Sequence, residues 1–124
     1  MDKKIFIVED NQDDLIIAKR YLSHAGYAVV FSTADAAEGV RKAVEEKPDL
    51  VILDTLLPGA TGFEVCQQIR QGCGGLGPKI IITTGSIDAV DAVKARKMGA
   101  DDYCAKTSDC APLLEAVKRI FSEG

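Results

Sequence analysis

The stretch Pro48-Asp49-Leu50-Val51-Ile52-Leu53-Asp54 sets the fold. Leu50 to Leu53 run apolar without a break, which marks a strand covered on both faces rather than one with a wet side. Such a strand ending in a carboxylate delivers that carboxylate to the rim of its sheet. Ile5-Phe6-Ile7-Val8, closed by Glu9-Asp10, and Ile80-Ile81-Ile82, followed by Thr83-Thr84, have the same character. Two weaker runs lie at Ala28 to Ser32 and Asp102 to Ala105. The pattern predicts strands over Lys4 to Val8, Ala28 to Ser32, Leu50 to Leu53, Lys79 to Thr83 and Asp102 to Ala105, with the first, third and fourth in the centre.

Amphipathic segments alternate with these runs. Leu15, Ala18 and Leu22 repeat at helical spacing, and Gly26 stops the first helix. Ala36, Val40 and Val44 form the stripe of a second, which Pro48 blocks. Phe63, Cys66 and Ile69 mark a third. A fourth is expected from about Asp88 to Lys97, with Val90 and Val93 inward and Gly99 as its stop. The last, capped near Ser108 or Asp109, packs Leu113, Val117, Ile120 and Phe121. Strict strand–helix alternation implies right-handed crossovers and a parallel sheet with helices on both faces, an α/β fold. In such folds ligands bind outside the carboxyl ends of the strands.

With 124 residues, 47% of them hydrophobic and 27% charged, the chain has the size and composition of one compact domain, expected over residues 1–124. No apolar run approaches the roughly 20 residues of a membrane span. The apolar stretch after Lys3-Lys4 ends after four residues at Glu9, too soon for a secretory signal, so a cytoplasmic location and no membrane insertion are expected. A net charge of −4 with scattered lysines and arginines argues against direct nucleic-acid binding. Cys66, Cys73, Cys104 and Cys110 are separated by six, thirty and five residues, which fits neither a zinc site nor a redox pair, so reduced thiols are expected, with Cys66 and Cys104 as small core residues.

At the carboxyl ends of the predicted strands stand Glu9-Asp10, Asp54, Thr84 and Lys106. If the first and third strands are neighbours, three carboxylates crowd together and oppose one another's ionisation. Lys106 offsets part of that charge, and a hard divalent cation with oxygen ligands, Mg²⁺, answers the rest. A cation, a lysine and a hydroxyl together suit a phosphoryl group. Each residue alone has an ordinary reading as a cap, turn or surface charge; their joint occurrence, each at its own strand end, points to a site.

These stretches resemble the receiver domain of two-component response regulators: Ile5-Phe6-Ile7-Val8-Glu9-Asp10, Pro48 to Asp54 with Pro58 and Gly62 beyond, Ile80 to Gly85, and Gly99-Ala100-Asp101-Asp102-Tyr103-Cys104-Ala105-Lys106. The resemblance runs from about Lys3 to Phe121. It implies a (βα)5 doubly wound, flavodoxin-like sheet of order 2-1-3-4-5. It also implies Asp54 as phosphoacceptor from a phosphohistidine, and Mg²⁺ bound directly by Asp10, through water by Glu9, by Asp54 and by the backbone carbonyl of Leu56. Thr84 and Lys106 would contact phosphoryl oxygens, and Tyr103 would be the aromatic whose rotamer follows the Thr84 hydroxyl. No other cofactor is implied. The implied partners are a sensor histidine kinase or phosphotransfer protein and a downstream effector protein or domain, reached through the surface of the fourth helix, fifth strand and fifth helix. Such a domain is not a turnover enzyme but assists its own phosphotransfer and dephosphorylation.

Several positions depart from that family's pattern. Thr107 stands where relatives have proline after a cis bond to the lysine, so the approach of Lys106 depends on how the chain accommodates a non-proline residue. Thr61 replaces a frequent aspartate. Leu56 and Ser86 occupy positions that tune phosphoryl lifetime, and Leu56 has no polar atom to orient an attacking water, so slow self-dephosphorylation is expected. Gly72-Cys73-Gly74-Gly75-Leu76-Gly77 matches a dinucleotide fingerprint in letters, but it follows a helix and precedes a strand, the wrong order for holding a pyrophosphate. His24, near the end of the first helix, reads as a cap or surface residue. A metal-dependent phosphatase with an aspartyl-phosphate intermediate would want an aspartate where Leu56 stands. A receiver-like interaction module that is never phosphorylated is the remaining alternative.

Overall fold

A computed structural model describes residues 3–74, 77–86 and 88–122. Five strands, β1 (Lys4–Val8), β2 (Ala28–Thr33), β3 (Leu50–Asp54), β4 (Lys79–Thr84) and β5 (Asp102–Ala105), form one sheet in the order β2-β1-β3-β4-β5. All its pairings are parallel. The expected topology is the one found, with β1, β3 and β4 in the centre. Five helices follow the strands in turn: α1 (Gln12–His24), α2 (Ala36–Glu46), α3 (Gly62–Cys73), α4 (Ala89–Lys97) and α5 (Ala111–Ser122). A two-residue antiparallel hairpin, Leu56–Leu57 with Ala60–Thr61, links β3 to α3.

The twofold alternation of strand side chains divides the core in two. Phe6, Val8, Val51, Leu53, Ile80 and Ile82 face one way, against Ala43 of α2, Phe63, Cys66 and Ile69 of α3 and Ala95 of α4. Ile5, Ile7, Leu50, Ile52, Ile81 and Cys104 face the other, against Leu15 and Leu22 of α1 and Leu113, Val117 and Ile120 of α5. Every residue of β3 is buried, as the unbroken apolar run requires. The four cysteines are free and buried; burial pushes the Cys66 thiol up to about 11 and the Cys104 thiol to about 12, which keeps both inert.

Caps set the helix starts. Asn11 Oδ1 accepts the Asp14 N–H, Asp35 that of Ala37, Thr61 Oγ1 that of Glu64, and Asp88 those of Val90 and Asp91. Before α5, Asp109 accepts the Ala111 N–H, as one of the two expected caps, while Cys110 takes a left-handed φ of 59°. The expectation for α4 is corrected: Val90 and Val93 are 75% and 55% exposed, and the side chain buried on this helix is Ala95. Apolar residues stand on both sides of α4, so periodicity does not choose the inner face, and the small Ala95 takes it. Three strands also extend one residue past their expected ends, to Thr33, Asp54 and Thr84, because ladder hydrogen bonding continues into polar residues. In the glycine-rich stretch, Gly74 closes α3 with a φ of 63°, and Gly75 and Leu76 lie outside the described residues. His24 is exposed in the last turn of α1. Among the described residues, no helix is long and apolar enough to cross a membrane.

Candidate functional site

Strand register assembles the site. Val8 pairs with Leu53, Asp54 with Thr83 and Thr84 with Ala105. Glu9 therefore stands level with Asp54 on the neighbouring strand, while Lys106 follows the end of β5, two strands from β3, at the same carboxyl edge. Beneath them, Thr55 Oγ1 donates to the Thr83 carbonyl and Thr83 Oγ1 to the Leu53 carbonyl, 3.2 Å, so the end of β3 is tied to β4. Gly62 is needed where α3 begins: its N–H donates to the Thr55 carbonyl at 2.8 Å, and a Cβ there would stand 2.2 Å from the Asp54 carbonyl oxygen.

Glu9, Asp10 and Asp54 each offer a carboxylate oxygen, all within 4.8 Å of one another. Glu9 and Asp54 are 5% and 8% exposed, and Asp10 is exposed. The Lys106 Nζ sits 2.7 Å from Glu9 Oε1, 3.0 Å from Asp54 Oδ1 and 2.9 Å from Asp14 Oδ2. Burial opposes the charge on Lys106, but its carboxylate partners outweigh that and push its pKa up. Burial raises the Glu9 carboxyl to about 7; the bond from Lys106 works against the rise and the neighbouring Asp54 adds to it. One ammonium therefore leaves the trio short of positive charge. Convergent hard oxygen donors with one exposed corner, at Asp10, fit a small divalent cation that keeps part of its water shell.

The remaining expected residues are close by but turned to other partners. The Thr84 hydroxyl donates to the Ser86 carbonyl at 3.0 Å and accepts the Ser86 N–H at 3.2 Å, closing a turn of its own loop. Tyr103 is half-buried, its ring centroid 6.5 Å from that of Phe63 and its buried hydroxyl without a hydrogen-bond partner among the described residues. Leu56 is 73% exposed beside the site. The Lys106–Thr107 peptide is trans, and Lys106 nevertheless reaches Asp54. Sequence reading missed Asp14 as a partner of Lys106; an acid one helical turn beyond Asp10 was the available signal. It also missed Arg70, which donates to the carbonyls of Gly99 and Pro78 and to Asp101 at the opposite edge of the sheet.

Fold and site together define a doubly wound α/β domain with an acidic, lysine-bridged pocket at the carboxyl edge of its central strands. The family model "Response regulator receiver domain" matches residues 5–118, and the chain belongs to that family. It is 39% identical over 121 residues to the alkaline phosphatase synthesis transcriptional regulatory protein PhoP of Bacillus subtilis, spanning 98% of this chain and 49% of that protein. It is 38% identical over 118 residues to the response regulator ArlR of Staphylococcus saprophyticus, spanning 95% of this chain and 52% of that protein. The chain thus spans about half the length of these relatives. A two-component response regulator of the LuxR family from Aurantimonas superposes with a TM-score of 0.89 at 35% identity, covering 99% of this chain and 87% of that one. The receiver domain of the sensor histidine kinase PA1611 from Pseudomonas aeruginosa, with a magnesium ion coordinated in its active-site cleft, superposes with a TM-score of 0.84 at 28% identity, covering 98% and 99%.

Proposed function

We propose that this domain is a phosphorelay switch: Asp54 accepts a phosphoryl group from a phosphohistidine on a sensor histidine kinase or phosphotransfer protein. The observation that carries the reading is the contact of the Lys106 ammonium with a buried Asp54 carboxylate flanked by Glu9 and Asp10, in a chain of the receiver family. In the transfer, an Asp54 carboxylate oxygen attacks phosphorus, the phosphorus–nitrogen bond breaks, and its electron pair returns to the imidazole, which takes up a proton. Lys106, already 3.0 Å from Asp54, is within reach of the oxygens on which charge develops. Asp10, Asp54 and the Leu56 carbonyl would hold Mg²⁺ directly, and Glu9 through water; when bound, the ion neutralises phosphoryl charge.

The acyl phosphate adds a dianion where Asp54 held a single charge. Thr84 then gives up its Ser86 partners to donate to a phosphoryl oxygen, and Tyr103, whose hydroxyl is bonded to none of the described residues, follows into the space vacated. The surface of α4, β5 and α5 changes with them, and an effector protein or domain reads that surface. The chain is proposed to act in the cytoplasm, without binding nucleic acid itself, and to turn over only its own phosphoryl group.

Incubation with acetyl phosphate and Mg²⁺, followed by intact-mass measurement, tests this. A single phosphoryl adduct is expected on the wild-type chain and none on Asp54→Asn. An unmodified wild-type chain, with both acetyl phosphate and a phosphorylated kinase as donors, would instead favour the interaction module that is never phosphorylated.

A further inference from the structure

Lys106 has three ammonium hydrogens and, among the described residues, three carboxylate partners: Glu9, Asp54 and Asp14. Glu9 and Asp54 belong to the acidic trio; Asp14 does not. It projects from the first turn of α1, and its Oδ2 accepts a hydrogen bond from Lys106 Nζ at 2.9 Å across 92 residues of sequence. We infer that Asp14 is a positioning residue that keeps the Lys106 ammonium beside Asp54 throughout phosphotransfer. The inference rests on the phosphoacceptor reading and adds to it a residue that the reading does not use.

Three features support the assignment. When Glu9 and Asp54 are engaged with a cation and a phosphoryl group, their hold on the ammonium is shared, whereas the charge of Asp14 stays wholly available to Lys106. Packing does not fix the lysine in its place: a cavity of about 50 Å³ walled by Ile17, Ala18, Cys110 and Leu113 opens beside Asp14 and Lys106. The loop beyond offers no anchor either, because Thr107 is exposed and its hydroxyl donates to Asp109, away from the site. The ion pair to α1 is thus what fixes the ammonium from outside the acidic trio. Asp13 stands in the same helical turn, exposed and outside the set of Lys106 partners, and serves as an internal control.

The test compares Asp14→Asn, Asp14→Glu and Asp13→Asn for their maximal rate of phosphorylation by acetyl phosphate at saturating Mg²⁺, read by intact mass. Loss of one part-exposed charge pair is expected to slow Asp14→Asn about three- to fivefold. Asp14→Glu recovers part of the rate, Asp13→Asn keeps it, and the Mg²⁺ dissociation constant stays within twofold of wild type, roughly the scatter allowed for a residue outside the cation's ligands. In a Lys106→Met background, Asp14→Asn has no further effect. A wild-type or faster rate in Asp14→Asn overturns the inference, as does an undiminished slowing in the Lys106→Met background. Should the wild-type chain take no phosphoryl group, the functional reading falls first. The same double-mutant cycle in urea denaturation then decides the pair: coupling between Asp14 and Lys106 retains the positioning contact, and no coupling removes it.

Discussion

A Cβ at Gly62 would stand 2.2 Å from the carbonyl oxygen of Asp54, a separation no rotamer change relieves because the obstacle is backbone. Gly62→Ala must therefore push α3 away or shift the end of β3. Overpacking of this kind costs about 1–3 kcal/mol, and we expect a lower urea midpoint at unchanged slope together with slower phosphorylation. Leu56 calls for a different measurement. Its side chain is 73% exposed and apolar, so it neither orders nor polarises a water beside the acceptor. The acyl phosphate should be long-lived, and Leu56→Asn should shorten its half-life several-fold; a longer half-life in the variant would refute the reading. The candidate site was legible because Asp54, Glu9, Asp10, Thr84 and Lys106 stand at the ends of strands, and strand ends are visible in sequence. Asp14 was not, because its partnership with Lys106 depends on how α1 sits against the loop before α5, which no local pattern encodes.

Arg70 shows what one side chain does for the joining of elements. From α3 its Nε donates to the Gly99 carbonyl at 2.8 Å, Nη1 to the Pro78 carbonyl at 2.6 Å and Nη2 to Asp101 at 2.7 Å, holding the approaches to β4 and β5 together. Asp101 also accepts the Ile80 N–H at 2.8 Å, so it anchors β4 while Arg70, with Lys79 Nζ farther off at 3.8 Å, balances its charge. Arg70→Ala should cost about 1–2 kcal/mol after discounting for partial exposure. Arg70→Lys should recover little of it, because an ammonium cannot donate in three fixed directions along a planar fork. Urea denaturation of the two variants checks both statements. At this scale the sequence showed the elements more clearly than their orientation. Unbroken apolar runs located β1, β3 and β4, whereas α4, with Val90 and Val93 on one side and Ala95 on the other, gave no unambiguous inner stripe and was turned the wrong way.

Across the whole molecule, two half-cores lie on either side of one sheet, and the acidic trio sits at the edge where both end. Crowded carboxylates there work against the folded state, and a bound cation would relieve them. Mg²⁺ should raise the melting temperature, with a gain of about 2.7 kcal/mol when its concentration is a hundred times the dissociation constant. Asp10→Ala, which removes the exposed corner of the trio without opening the core, should abolish the gain; differential scanning calorimetry with and without Mg²⁺ reads both. The parallel sheet with helices on both faces followed from strand–helix alternation, since right-handed crossovers leave few arrangements, whereas the strand order came with the family resemblance.

The helices that cover the sheet are also mechanically unequal. Among the described side chains of α4 only Ala95 is fully buried, so the fully buried contacts forfeited by sliding that helix over the sheet are those of one methyl group, about 0.8 kcal/mol, beside the half-buried Ala92 and Met98. Moving α1 or α5 by the same amount would unseat Leu15 and Leu22, or Leu113, Val117 and Ile120, at several times that work. The domain is stiff behind Asp54 and compliant at one flank, so a small rearrangement at the end of β3 would be relieved where resistance is least. A protein that gripped α4 would sense displacement with little opposing force, while the scaffold that holds Asp54 would keep its shape.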